Sequence, residues 1–292
     1  MFIATLVAAD RLSSDDLQEA QAALALAGCA PVDAAWLDEG QAADLFFNLD
    51  PAGARAALAD AGQRVDVIVQ PAAHRRKRLL VADMDSTMIE IECIDELADY
   101  AGIKPQVAEV TERAMRGELD FEAALDARVA LLKGMEASVL DRCHAERVRI
   151  MAGARPLIRT MRANGARCVL VSGGFTHFAD RVAAEIGFDR ALSNVLELGD
   201  GRLTGTVSRP IVGAQTKRET LLAEAAALGL SAQETMAVGD GANDVPMIEV
   251  AGLGVAYHGK EKVRAAADAC VVHGDLSVLL YAQGYKCAEW AD

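Results

Sequence analysis

Two carboxylates, Asp83 and Asp85, stand two residues apart directly after the apolar run Leu79-Leu80-Val81-Ala82. Side chains two apart on an extended segment point the same way, so both acids leave the end of a strand together. Held that close, they repel unless a cation lies between them or one takes a proton. Two more apolar runs end in polar residues: Arg167 to Val171 leads into Ser172-Gly173-Gly174, and Thr235 to Val238 into Gly239-Asp240-Gly241-Ala242-Asn243-Asp244. Between them, Thr216-Lys217-Arg218-Glu219 opens a helix that runs to about Gly229. Several carboxylates together suit Mg²⁺, a hard cation that keeps waters and recruits a substrate phosphate. Ser172 and the amides of Gly173 and Gly174 suit phosphate oxygens, because glycine lets a backbone approach closely. Lys217, at a helix start, is placed to neutralise developing charge. Singly, each piece also fits a turn, a helix cap or a surface charge. Their occurrence in order, each after a buried strand, supplies the nucleophile, acid/base, metal, oxygen clamps and cation of a phosphoryl transfer.

These residues converge only if the three runs are parallel neighbours. Short continuous apolar runs read as strands buried on both faces, and open α/β sheets bind ligands outside the carboxyl ends of their strands. The expected class is therefore α/β, a Rossmann-like doubly wound parallel sheet. Directly after its first strand, residues 91–150 show no strong strand. Leu119 to Leu125 and Val129 to Leu132 are amphipathic and separated by Gly117 and Gly134. This reads as a helical cap inserted at about 90–153, a lid that excludes water and supplies specificity. Arg155-Pro156 begins a helix to about Asn164, and another runs through Ile186-Gly187. Asn194 to Leu198 and Arg202 to Val207 straddle Gly199-Asp200-Gly201 as a hairpin. Short strands follow at Leu253 to Ala256 and Ala269 to Val272.

Residues 1–72 form a unit of their own, and residues 73–292 the main domain. Phe2 to Val7, Val32 to Leu37, Leu45 to Leu49 and Val65 to Val69 read as strands. One helix opens at Ser13 or Ser14 and runs to about Gly28; a second opens at Asp50-Pro51 and ends near Gly62. The order βαββαβ is that of a small α+β ferredoxin-like domain. His74-Arg75-Arg76-Lys77-Arg78, after Pro71, reads as a solvated linker.

The chain has 292 residues, 52% hydrophobic and 25% charged, the make-up of a globular protein with a substantial core. A net charge of −14 argues against nucleic acid or an anionic membrane as partner. No apolar run spans a bilayer and no segment reads as a signal peptide. The six cysteines form no CxxC pair, which fits reduced thiols in a cytoplasmic protein.

Asp83-Met84-Asp85-Ser86-Thr87, Ser172-Gly173-Gly174, Lys217 and Gly239-Asp240-Gly241-Ala242-Asn243-Asp244 resemble the four motifs of the haloacid dehalogenase superfamily over residues 78–285. Within it the chain is similar to the phosphoserine phosphatase family, through Glu92, the cap stretch Ala114 to Phe121 and Arg128-Val129. The resemblance implies hydrolysis of O-phospho-L-serine to L-serine and phosphate, the last step of serine biosynthesis, with Asp83 as nucleophile and Asp85 as acid/base. It implies Mg²⁺ on Asp83, Asp240 and the carbonyl of Asp85, with Asp244 orienting the metal's waters. Ser172, Gly173, Asn243 and Lys217, supported by Gly174, would hold the phosphoryl group. Glu92 would pair with the substrate ammonium and Arg128 with its carboxylate, beside a wall of Met115 and Phe121. The N-terminal unit resembles an ACT domain, which implies regulation by serine or dimerisation; a homodimer and a monomer both remain open. Two other readings compete: phosphoryl transfer to an alcohol such as homoserine, and an amino-acid-binding regulator without catalysis.

Overall fold

The computed structural model describes all residues except 60, 62, 63 and 292, and leaves the side chain of Met115 undescribed. The expected wall residue Met115 and the expected helix end near Gly62 therefore lie outside the described residues.

The first unit contains β1 (Phe2–Ala8), α1 (Ser14–Leu26), β2 (Pro31–Asp38), β3 (Ala42–Phe47), α2 (Pro51–Ala57) and β4 (Val65–Pro71). Its strands form one sheet in the order β2-β3-β1-β4, with antiparallel pairing throughout. Both helix starts are capped from the sequence. Ser13 Oγ accepts from Asp16 N at 3.1 Å, while Asp16 Oδ2 accepts from Ser13 N at 2.9 Å. Asp50 Oδ1 accepts from Gly53 N at 2.9 Å, and Pro51 fills the first turn.

The second sheet is parallel, in the order β12-β11-β10-β5-β6-β7. Its strands are β5 (Leu79–Ala82), β6 (Arg167–Phe175), β7 (Arg190–Asn194), β10 (Thr235–Gly239), β11 (Gly254–Tyr257) and β12 (Ala269–Val271). All four β5 residues are buried: Leu79 and Val81 pack on one face, Leu80 and Ala82 on the other. Helices α7 (Ala154–Ala163) and α8 (Thr176–Ile186) supply the core on one face. Helices α9 (Ala214–Ala227) and α10 (Val245–Ile248) supply it on the other. The chain builds from β5 toward β7, then returns to place β10 on the far side of β5. The switch point thus falls where two of the carboxylate-bearing strands end. Four helices, α3 (Cys93–Tyr100), α4 (Lys104–Met115), α5 (Phe121–Leu131) and α6 (Ser138–Arg147), lie between β5 and α7 as the inserted cap.

Two expectations change. The strand expected from Asn194 to Leu198 is split. Arg190–Asn194 is the edge strand of the parallel sheet, and only β8 (Leu196–Gly199) pairs with β9 (Arg202–Val207) in the hairpin. Arg-Ala-Leu-Ser-Asn carries too few apolar residues to register as a buried strand. The basic run is a solvated linker only in part: His74, Arg76 and Arg78 are exposed, but Arg75 is half-buried and Lys77 buried. The Arg75 guanidinium contacts the buried Asp44 at 2.7 and 2.9 Å and donates to the carbonyls of Tyr281 and Ala282. Arg76 lies 4.1 Å over the Tyr285 ring. Lys77 is 5% exposed and donates to Gln233 O at 2.9 Å. The sheet of the first unit rests on the C-terminal segment, and its buried acid requires a cation there. Asp66 reinforces the joint by accepting from the amides of Val272, His273 and Gly274.

Burial pulls Lys77 down to about 8 from its ordinary 10.5. The unfolded chain then binds more protons between those values, so stability is expected to rise with pH across that window. Lys77→Met is expected to flatten the rise and to recover about 1–3 kcal/mol at pH 7. Urea melts of both proteins from pH 7 to 10.5 check this.

Candidate active site

Neighbouring parallel strands bring the ends of β5, β6 and β10 onto one edge, where Asp83, Asp85, Ser172, Asp240 and Asp244 gather. Lys217 enters from the first turn of α9. It is fully buried, and its Nζ lies 2.6 Å from both Asp83 Oδ1 and Asp244 Oδ1. Asp83 Oδ1 also accepts from Met84 N at 2.8 Å, and Asp244 Oδ2 from Gly241 N at 2.9 Å. Burial and the neighbouring Asp244 push the Asp83 carboxyl well above its ordinary value, against the pull of Lys217. Burial works against the lysine charge too, yet Asp244 and Asp83 prevail and hold it protonated.

Asp85 faces elsewhere. Its Oδ1 accepts from Cys93 N at 3.0 Å and its Oδ2 from Ser172 Oγ at 3.4 Å. Burial raises its carboxyl despite these bonds. Gly174 N donates to Ser172 Oγ at 2.8 Å. A Cβ at Gly174 would come within 2.7 Å of Asp85 Oδ2, and one at Gly239 would collide with the Asp244 carboxylate, so both positions need a bare backbone.

Asp83, Asp240 and Asp244 place carboxylate oxygens within 4.8 Å of one another. Burial and Asp244 push Asp240 up to about 6. Three carboxylates thus gather around one buried ammonium. A hard divalent cation fits this all-oxygen donor set and its excess of negative charge. Thr87 Oγ1 lies 3.5 Å from Asp240 Oδ1, and the exposed Lys260 Nζ 3.8 Å from Asp240 Oδ2.

The cap supplies the rest of the cleft. Glu92 precedes α3 and accepts from Ser86 Oγ at 2.9 Å. It opens to the cleft, yet the surrounding protein and the Asp85 charge push its carboxyl up to about 7. Arg128, half-buried on α5, donates to Ala124 O at 3.2 Å and feels the charges of Asp95, Glu92 and Asp85. Phe121 covers Gly173 and Gly213: a Cβ at either would lie 3.1–3.2 Å from its ring. Asn243 turns its Oδ1 toward Gly241. Every sequence-predicted site residue with a described side chain lies in the last residues of β6, on the loops after β5 and β10, in the first turn of α9 or on the helical insertion. Asn194, Thr87 and Lys260 were missed. Asn194 ends a strand the apolar pattern does not reveal, and Thr87 and Lys260 carry no spacing signal.

A doubly wound parallel sheet, a carboxylate cluster at its switch point and a helical cap define a capped α/β phosphoryl-transfer class. The haloacid dehalogenase-like hydrolase family matches residues 80–249, and the chain belongs to that family. A phosphoserine phosphatase of Streptomyces coelicolor is 49% identical over 77% of this chain and 55% of its own length. One of Archaeoglobus fulgidus is 46% identical over 71% and 60%, and one of a Polaromonas species 48% identical over 70% and 88%. The chain thus spans less than two thirds of the first two relatives. Among solved structures, a HAD family hydrolase of Salmonella enterica superposes with a TM-score of 0.84 at 29% identity, covering 96% of this chain and 98% of that one. A probable phosphoserine phosphatase of Vibrio cholerae superposes at 0.77 and 34% identity, covering 99% and 87%.

Proposed function

We propose that this chain is a phosphoserine phosphatase that hydrolyses O-phospho-L-serine through a phosphoryl group carried on Asp83. The observation that carries the reading is Lys217, fully buried and 2.6 Å from both Asp83 and Asp244, with Asp85 outside that ion pair and held by Cys93 N and Ser172 Oγ. Lys217 orients Asp83 Oδ1, and Asp83 attacks phosphorus. The bond to the seryl oxygen breaks, and Asp85, its carboxyl already raised by burial, gives that oxygen a proton. Asp85 then takes a proton from water as the water attacks phosphorus, which releases phosphate and restores Asp83. Ser172, the Gly173 amide, Asn243 and Lys217 hold the phosphoryl oxygens. Mg²⁺ would be held by Asp83, Asp240 and the carbonyl of Asp85, with Asp244 orienting its waters, and would neutralise charge on the phosphoryl oxygens. Glu92 takes the substrate ammonium and Arg128 its carboxylate, under Phe121.

The division into residues 1–72 and 73–292, with the cap at about 90–153, belongs to the same proposal, as does an ACT-like role for the first unit in binding serine or forming a homodimer. A cytoplasmic site of action belongs to the same proposal; among the described residues no helix is long and apolar enough to cross a membrane.

Phosphate release from a panel of phosphorylated metabolites, with Mg²⁺ and with EDTA and with homoserine as a competing acceptor, tests the reading. Metal-dependent release fastest from O-phospho-L-serine is expected. Preference for a substrate without an amino group would remove Glu92 and Arg128 from their roles, and phosphohomoserine as main product would make the enzyme a transferase. Because Glu92 must be ionised to bind an ammonium, kcat/KM is expected to rise with pH on a limb near 7. Glu92→Gln is expected to lose that limb and about 10–100-fold in kcat/KM; a limb that persists in the variant would assign it elsewhere.

A further inference from the structure

Asn194 is 1% exposed, and none of the steps above uses it. Its side chain holds backbone groups from two separate loops. Nδ2 donates to Gly173 O at 2.9 Å and to Val212 O at 3.1 Å, and Oδ1 accepts from Val212 N at 2.7 Å. Both ends of the amide are thus in use.

The first loop needs this support. Strands β6 and β7 are in register at Val171 and Leu192 and again at Phe175 and Asn194, with a break between. Across the break β6 has Ser172, Gly173 and Gly174 where β7 has only Ser193, so the ladder cannot pair every backbone group. The Gly173 carbonyl goes to Asn194 and the Gly174 N–H to Ser172 Oγ. These two groups belong to one peptide unit, and holding both fixes its plane and so the amides beside it. The second loop leads to the lysine. With both polar groups of Val212 held, Gly213 follows as N-cap of α9, and Lys217 N donates to Gly213 O at 3.1 Å.

We propose that Asn194 is a positioning residue for phosphoryl recognition. It ties the Ser172-Gly173-Gly174 loop to the start of the Lys217 helix, so that oxygen clamps and cation meet one phosphoryl group at a set spacing. This rests on the phosphoryl-transfer reading above. The three carboxylates of the metal group follow β5 and β10, which β6 separates from β7, and none bonds Asn194. Phosphate affinity and metal affinity are therefore expected to separate.

The test measures binding of inorganic phosphate in the presence of Mg²⁺, binding of Mg²⁺ alone, and kcat and KM, for wild type, Asn194→Ala and Asn194→Asp. The aspartate keeps the size and the bond from Val212 N–H but turns an oxygen toward the Gly173 carbonyl; it decides the matter if the alanine variant does not fold. Misplacing reacting groups by about 1 Å costs on the order of 100-fold. Phosphate affinity is expected to fall about tenfold or more and kcat about 10–100-fold, with Mg²⁺ affinity within about twofold of wild type. A folded variant that binds phosphate like wild type, or that loses phosphate and Mg²⁺ together, overturns the proposal. Wild-type protein that binds Mg²⁺ but no phosphate overturns the phosphoryl-transfer reading instead.

Discussion

Asp83→Asn is expected to lower phosphate release by roughly 10⁴-fold or more while the protein stays folded. The amide has the shape of the carboxylate and keeps an oxygen for the Met84 N–H, now at 2.8 Å. It lacks the anionic oxygen that forms the bond to phosphorus. Stability is expected to hold or rise. The folded-state pKa of Asp83 lies above its ordinary 3.8, because burial and Asp244 oppose the charge. A carboxylate with a raised folded pKa supports the fold only at low pH, and that support is lost as pH climbs through the folded value. At neutral pH without metal the ionised group therefore costs stability, and the neutral amide removes that cost. Single-turnover assays with Mg²⁺, and thermal melts at pH 7.5 in EDTA, measure the two effects. A variant that keeps about one per cent of wild-type turnover would exclude Asp83 as the nucleophile.

Lys217→Met is expected to destabilise the protein by about 3–5 kcal/mol in the absence of metal, the usual consequence of leaving a buried charge without its partner. Methionine fills the space of the lysine stem, but Asp83 and Asp244 then face each other with no ammonium 2.6 Å from each. Against a total stability of about 5–15 kcal/mol this is a large fraction. Two signatures separate the effect from poor packing. Asp83, already held above its ordinary value by burial and Asp244, then loses the opposing pull of Lys217, so the variant is expected to be most stable at acid pH and to lose stability as pH rises. Mg²⁺, which binds only the folded chain, is expected to raise the Tm of the variant more than that of wild type. Melts across pH 5 to 8, with and without Mg²⁺, test this. An unchanged Tm in EDTA would mean that Lys217 is not the counter-ion of the cluster.

Much of the site was legible because its residues interrupt apolar runs. Asp83 follows four buried residues, Ser172 follows the apolar part of β6, and Asp240 and Asp244 follow β10. Short-range chemistry is written locally: the Ser13–Asp16 box, the Asp50-Pro51 start and the Asp200-Gly201 hairpin turn depend on neighbours in sequence. The block of helices between β5 and α7 was legible as well, since a helical block inside a strand-helix alternation has no place within the sheet.

What the chain alone determined, then, was which segments become strands and helices and which polar groups end them. Tertiary structure decided which charges meet. Lys217 and Asp244 are 27 residues apart, Asn194 and Gly173 21, and Arg75 and Tyr281 206. Local spacing marks Lys217 as a helix-start cation and the 74–78 run as basic. It cannot say that the lysine is fully buried between two acids, that Arg75 joins the buried Asp44 to the C-terminal segment, or that Lys77 is buried against Gln233. Burial and partner set the energy of a charge, and both are fixed only when distant surfaces close on one another.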